Sequence, residues 1–462
     1  MRTLRILAAS FLLLFSVMTG AGWAQSIWEE SSEVEISTGV KAVRTVRTDL
    51  SDPGIEILPV LAGGQVGLIS PLSDMATEVG ASAAINGTFF NAYTDNQPQG
   101  TVFIDGSARH LADGPTVGFT EKNGFLMDRL KVEIKGGING SRLWPNSWYA
   151  WSVNSPKSDG EAIVIYTPEF AGGISKPPNS RSVVVSGGLV TQIVQGSARI
   201  PSDGYVIGFG PGSTGDASRF KVGDRVEYSV VLGYGWEGVK NAISAGPLLL
   251  KGGQVVLNFG ADGMSDPKIT TQKGARSFIG RTWNNVLVMG TTPSATVREL
   301  AEITKALGLA DAMNLDGGAS SGLYFDGRYL TPPGRNLSNC LAIIKRVGVV
   351  VNGLRITGFS PYVAPPGITM VPVRGVFEKV GADVSWEDYS QTVTVRMKTA
   401  VVILKVGSSS GLVNGREVQL TRPAEIKDGR TYIPLRFVAE NLGGQVTWDQ
   451  NSDVVYIKMG GG

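Results

Sequence analysis

Apolar residues recur at helical spacing from Thr296 to Leu309, where Val297, Leu300, Ile303, Ala306 and Leu307 fall on one face. The pattern predicts a helix that ends at Gly308, whose missing Cβ suits a C-terminal cap. Ala310 to Leu315 then forms a short apolar run of strand character, and Gly322 to Phe325 begins another. Between them lies Asn314-Leu315-Asp316-Gly317-Gly318-Ala319-Ser320-Ser321, which sets one carboxylate, two glycines and two hydroxyls at a strand end. Glycines there let a ligand approach backbone N–H groups closely. A plain Asp-Gly turn explains the same letters equally well.

Elsewhere the alternation is that of strands. Val40 to Thr45 and Ile55 to Val60 flank the turn at Asp52-Pro53-Gly54. Ile69 to Gly80 predicts a short helix capped at Ser70 or Ser73, followed by the small apolar run from Ala83 that meets Asn86-Gly87. A polar loop from Tyr93 to Gly100 leads into a strand at Thr101 to Asp105. From Val117 to Val239, strand-like runs alternate with Gly, Asn and Pro turns, the signature of antiparallel sheet. Trp144, Trp148, Tyr149 and Trp151 cluster here and read as core or inter-sheet packing, with a sugar platform as the alternative.

From Gly348 onward the chain repeats itself at an offset of 62: Val351-Asn352-Gly353 returns as Val413-Asn414-Gly415, Pro372-Val373-Arg374 as Pro434-Leu435-Arg436, and Trp386 as Trp448. Each copy predicts a strand, a short helix (Val373 to Val380; Leu435 to Leu442) and a Trp-containing hairpin. Such a duplication makes a small α+β unit of two related halves. No acidic pair recurs in both copies, which points to a structural or adhesive role. The predicted fold class is α+β: a mixed, antiparallel-sheet-rich domain with a few helices, then the small duplicated α+β domain.

Composition narrows the chemistry. With 42 basic and 40 acidic residues the formal charge is +2, so nothing marks a nucleic-acid partner. One cysteine, Cys340, and one histidine, His110, exclude an intramolecular disulfide and leave Cys/His zinc sites without ligands. Cys340 reads as a small core residue, and His110 as a surface or rim histidine. No cofactor is required; a structural calcium would suit oxygen ligands, but no residue pattern indicates one. Arg2 and Arg5 followed by the apolar Ile6 to Val17 and by Gly22-Trp23-Ala24 form a bacterial-type signal peptide, residues 1–24. The apolar run is shorter than the roughly 20 residues a membrane span needs. The mature chain is therefore expected to be secreted or held at the cell surface, with no transmembrane segment. The expected domains are 25–347 and 348–462.

Polar residues at the ends of apolar runs mark the candidate site: Asn86, Ser244, Arg276, Asp316, Ser320, Ser321, Arg335 and Asn339. Two arginines with one aspartate suit an anionic substrate and a single reacting carboxylate, although both arginines could instead pair with buried acids. These stretches resemble a family. AINGTFF (84–90), ISAGPLLL (243–250), ARSFIG (275–280), LDGGASS (315–321) and RNLSNCLAI (335–343) are similar, in order, to the motifs of the phosphodiester glycosidases, and the repeats resemble the stalk module found at the N-terminus of copper amine oxidases. No amine-oxidase active site accompanies that module.

The resemblance implies hydrolysis of a sugar-1-phosphodiester, N-acetylglucosamine-1-phosphodiester-like, at the anomeric C–O bond of an envelope or extracellular glycan. It implies Asp316, Arg276 and Asn86 as catalytic residues, no metal, and substrate contacts from Gly87, Ser244, Gly246, Gly317, Gly318, Ser320, Ser321, Arg335 and Asn339. Thr88, Ala245 and Ala319 stand where the motifs carry glycine, and Cys340 where they carry alanine. A non-catalytic surface protein that binds a glycan or phosphosugar is the alternative. A metal phosphodiesterase would need His and Asp clusters that one histidine does not supply. Through the stalk module a cell-wall or surface polymer is the expected partner.

Overall fold

Strands dominate the chain, with only a few short helices between them. The computed structural model describes residues 26–52, 54–156, 160–174, 176–356, 361–364, 368–427, 429–449 and 454–459. The expected signal peptide, residues 1–24, lies outside these residues. Contacts divide the chain into two units, one of Ser26–Arg346 and one that takes in everything from Val347 onward.

In the first unit, a seven-stranded sheet runs Ile27–Ile36, Gly39–Asp49, Val286–Ala295, Gly274–Thr282, Leu309–Asn314, Leu248–Lys251 and Gln254–Val255, every neighbouring pair antiparallel. A five-stranded antiparallel sheet runs Arg328–Thr331, Leu323–Phe325, Ala83–Asn86, Asn339–Lys345 and Ile55–Leu61. Ile279, Met289 and Met313 of the first share one core with Ile85, Leu341 and Ile343 of the second. The ends of the strands that carry these residues are what the candidate site is built on. Three smaller sheets from the middle of the chain complete the unit, antiparallel apart from Ser152–Val153 beside Ile163–Tyr166.

The first strand, Ile27–Ile36, escaped the hydrophobic pattern because its sequence, IWEESSEVEI, is mostly polar. It forms through ten consecutive pairs with Gly39–Asp49, and only Ile27 and Val34 are buried. The short helix spans Leu72–Glu78 and starts after Pro71, without a serine cap. Of the aromatic cluster only Trp148 packs in the core; Trp144, Tyr149 and Trp151 are exposed. His110 is buried, not at a rim, with Nδ1 2.7 Å from the Gly100 carbonyl oxygen. Cys340 is buried in an apolar cluster, as its neighbours suggested.

The long helix spans Val297–Ala306 and opens with a capping box: Thr296 accepts from the Glu299 N–H, and the Glu299 carboxylate accepts from the Thr296 N–H at 2.7 Å. Glu299 is 4% exposed and also accepts from Thr38 at 2.6 Å and from Lys41 at 3.0 Å. Burial opposes its charge, but the bonds from Thr38, Thr296, Lys41 and Lys273 outweigh it and hold the carboxyl well below the usual range. A folded pKa below the unfolded one gives stability that is present above the ordinary glutamate range and lost on acidification. Glu299→Gln is expected to lower unfolding free energy by about 1–3 kcal/mol at pH 7. Urea titrations should show that difference shrinking as the pH falls below about 4.

In the second unit, strands Ile368–Pro372 and Arg430–Pro434 pair antiparallel: Met370 with Pro434, Val371 with Ile433, Pro372 with Tyr432. Met370 and Tyr432, Val371 and Ile433, and Pro372 and Pro434 are also the 62-residue counterparts, so the pairing is symmetric about Val371 and Ile433. The helices Val373–Phe377 and Leu435–Asn441 follow these strands directly. The hairpins Asp383–Glu387 with Thr392–Met397, and Gly444–Asp449 with Val454–Met459, come next. One core of valines and leucines from both halves fills the unit.

Candidate active site

Asp316 follows the Leu309–Asn314 strand, which lies between Gly274–Thr282 and Leu248–Lys251 in the large sheet. Its N–H donates to the Gly87 carbonyl at 3.2 Å, and its own carbonyl accepts from Asn86 Nδ2 at 2.7 Å. Asn86 Oδ1 accepts from the Gly322 N–H at 3.0 Å. Asn86 thus braces the turn from both ends. The two sheets are stitched here by backbone, which fixes where the carboxylate sits.

Gly87 allows the closest approach in the site. A Cβ there would lie 2.0 Å from Asn339 Oδ1 and 2.7 Å from Ile243 Cδ1. Asn339 Oδ1 accepts from the Thr88 N–H at 2.9 Å, and Asn339 Nδ2 donates to Ser338 Oγ at 2.7 Å. Gly87→Ala is expected to displace Asn339 and to destabilise the protein by about 2–3 kcal/mol, measured by denaturant unfolding.

Arg276 rises from the neighbouring strand. Its Nε donates to the Ala295 carbonyl at 3.0 Å, and Nη2 donates to those of Lys268 at 2.8 Å and Gln272 at 2.6 Å. Three carbonyls therefore fix the guanidinium while Nη1 faces the Asp316 turn: a Cβ at Gly317 would lie 3.3 Å from it. Arg335 is partly exposed, donates from Nη2 to the Tyr93 hydroxyl at 2.9 Å and lies 5.1 Å from that ring's centroid. Among the described residues neither arginine forms a salt bridge with a carboxylate, so the arrangement is not the alternative one of pairing with buried acids.

Asp316 is only partly exposed, and protein crowds its carboxyl closely. Desolvation dominates and raises its pKa from 3.8 to about 6, against the opposing pull of the Ser320 hydroxyl, the Gly317 N–H, Arg335 and Arg276. The Gly317 N–H donates to Asp316 Oδ1 at 2.8 Å. Burial likewise pushes the Arg276 guanidinium below its ordinary value, and Asp316 draws it back. The turn thus holds a carboxylate with a near-neutral pKa beside two arginines that, among the described residues, form no salt bridge.

The structure joins Asn86, Gly87, Arg276, Asp316, Gly317, Gly318, Ser320 and Asn339 around one turn, with Arg335 acting on Asp316 through its charge. Ser321 Oγ is buried and has no hydrogen-bond partner among the described residues. The Ser244 hydroxyl turns to Thr116 Oγ1, 2.7 Å away, whereas Gly246 is bonded to the strand that leads to Asp316: its N–H donates to the Asn314 carbonyl at 2.8 Å and its carbonyl accepts from Asn314 Nδ2 at 2.7 Å. Thr88 is buried and its hydroxyl accepts from the Gly100 N–H at 3.3 Å, whereas Ala319 is exposed. Tyr93 escaped the sequence reading, although an aromatic inside a polar loop was the available signal. No group of three or more His, Cys, Asp or Glu among the described residues could hold a metal ion.

Residues 179–344 match the family model described as phosphodiester glycosidase. This stretch of the chain is similar to the phosphodiester glycosidases. The match includes Arg276, Asp316, Ser320, Arg335 and Asn339; Asn86 and Gly87 precede it. Residues 350–457 match the copper amine oxidase N-terminal domain. Both resemblances seen in the sequence therefore hold at their expected positions. A crystal structure of a hypothetical protein from Synechocystis matches with TM-score 0.62 at 26% identity, over 70% of this chain and 62% of that one. The "Putative exported protein" of Burkholderia pseudomallei K96243 matches in fold with TM-score 0.56 at 18% identity, over 66% of this chain and 74% of that one. The primary amine oxidase of Klebsiella aerogenes is 35% identical over 69 residues, which is 15% of this chain and 9% of that protein. This chain thus spans less than two thirds of the Synechocystis protein and under a tenth of the amine oxidase.

Proposed function

We propose that the first unit is a secreted hydrolase that breaks the anomeric C–O bond of a sugar-1-phosphodiester, N-acetylglucosamine-1-phosphodiester-like, in an envelope or extracellular glycan. The observation that carries this reading is Asp316, with its pKa near 6, beside Arg276 and Arg335, neither of which forms a salt bridge among the described residues. The phosphodiester glycosidase match supports the class of reaction. Secretion is supported by the signal peptide in the sequence and by the exported relative, and no helix among the described residues is long and apolar enough to cross a membrane.

The chemistry follows from the leaving group. A phosphate monoester has a second pKa of about 6, so it departs with the bonding electrons without needing a proton from an acid. An ordinary glycosidase must protonate an alkoxide and uses a second carboxyl for it. Here the arginines stabilise the charge that gathers on the phosphate oxygens. Asp316, ionised above pH 6, takes a proton from the water that attacks the anomeric carbon; direct attack by Asp316 on that carbon is the variant route. The products are the free sugar and the phosphomonoester.

Hydrolysis of an N-acetylglucosamine 1-phosphodiester in oxygen-18 water tests the bond. Label in the sugar supports C–O cleavage, and label in the phosphate would replace it with P–O cleavage. Saturable binding without turnover would make the chain a glycan- or phosphosugar-binding surface protein.

A further inference from the structure

Among the described residues of the second unit lie a cleft of about 590 Å³ and another of about 350 Å³. Their walls correspond at the 62-residue offset. Arg374, Trp386 and Thr431 line the larger, and Arg436, Trp448 and Thr369 line the smaller, with Val384 and Val393 answered by Val446 and Val455. The threonines are exchanged: each cleft takes its arginine and tryptophan from one half and its threonine from the other. The symmetric pairing of Ile368–Pro372 with Arg430–Pro434 causes this, because it carries each half's strand to the other's helix.

Two differences give the clefts unequal character. Position 375 is glycine in the larger cleft, while its counterpart Phe437 packs on the core. Arg430 lines the larger cleft where Ile368 lines the smaller. The larger cleft therefore has two arginines, together with Asp388 and Gln391. Trp386 is half-buried, and its indole N–H donates to Asp388 Oδ1 at 2.5 Å, which sets the plane of the ring. Among the described residues Arg374 pairs with Glu378 alone, at 4.0 Å across two exposed side chains, a contact too weak to neutralise it.

We infer that this unit is a two-site receptor for an anionic glycan, with the Arg374/Arg430/Trp386 cleft as the stronger site. A fixed indole face takes the apolar face of a sugar ring, Thr431 and Gln391 meet its hydroxyls, and the arginine forks suit a carboxylate or phosphate on the chain. Duplication has a purpose on a polymer, where the second cleft binds at high effective concentration once the first is filled. This inference stands on the second unit alone and does not depend on the proposed hydrolase.

Calorimetric titration of the mature chain with maltotetraose, maltotetraose 6-phosphate and tetragalacturonate tests it. At least one anionic probe is expected to bind tenfold or more tightly than the neutral sugar, and the one that does identifies phosphate or carboxylate as the charge read. Arg374→Gln combined with Arg430→Gln, both exposed positions, should weaken that probe at least tenfold while turnover of a soluble sugar-1-phosphodiester is unchanged. The inference is overturned if no probe binds, if neutral and anionic probes bind alike, or if the double variant binds as wild type does.

Discussion

Asparagine at position 316 is expected to reduce turnover by on the order of 10²–10⁴-fold and, at the same time, to make the protein more stable above pH 6. The two effects have one cause. In the folded chain the Asp316 carboxyl keeps its proton up to about pH 6, while in the unfolded chain it releases it near 3.8. The folded state thus binds more protons between those values, and stability falls as the pH rises through that window. Asparagine keeps an acceptor for the Gly317 N–H and carries no charge, so the penalty disappears. The gain should be about 2–3 kcal/mol at pH 8 and vanish below pH 4. Urea unfolding at both pH values measures it, and the activity of the wild type should climb through pH 6 on its acid limb. Near-normal turnover by a folded Asp316→Asn chain would remove Asp316 from the chemistry.

Arg276→Lys should lower kcat by about 10²–10³-fold with a smaller change in KM. Lysine preserves formal charge but not the fork: the Ala295, Lys268 and Gln272 carbonyls are reached by two nitrogens of one planar group. A single ammonium cannot serve all three and still face Gly317. Desolvation, which already pushes the guanidinium down, would also tend to strip a buried lysine of its proton. A change confined to KM would show that Arg276 binds the substrate phosphate without preferential stabilisation of the transition state.

Much of the fold was legible because local pattern and burial agree in it. The helix over Val297–Ala306 was announced by its apolar stripe and its closing glycine, and it forms within a residue or two of the expected ends; the capping box at Thr296 and Glu299 came to light in the structure. The strands before and after Asp316 were visible for the same reason. Ile27–Ile36 was not, since its stability comes from pairing along its length and leaves most of its side chains in water. His110, Trp144 and Trp151 were misplaced, while Trp148 packs as expected, because a polar or aromatic letter does not state whether its side chain faces the core.

The sequence by itself determined the chemical inventory: one histidine and one cysteine, glycines beside a lone aspartate, arginines at strand ends, and a 62-residue repeat. Those are properties of composition and spacing, and the family resemblance rests on them. Tertiary structure alone decided which of these meet. Residues 86, 276, 316 and 339 share a site because two sheets are joined by the bonds among Asn86, Gly87 and Asp316, whereas Ser244, from an equally suggestive motif, turns to Thr116. The raised pKa of Asp316 likewise belongs to no motif. It arises from the protein packed around one carboxylate, and burial of that kind is set by the whole fold.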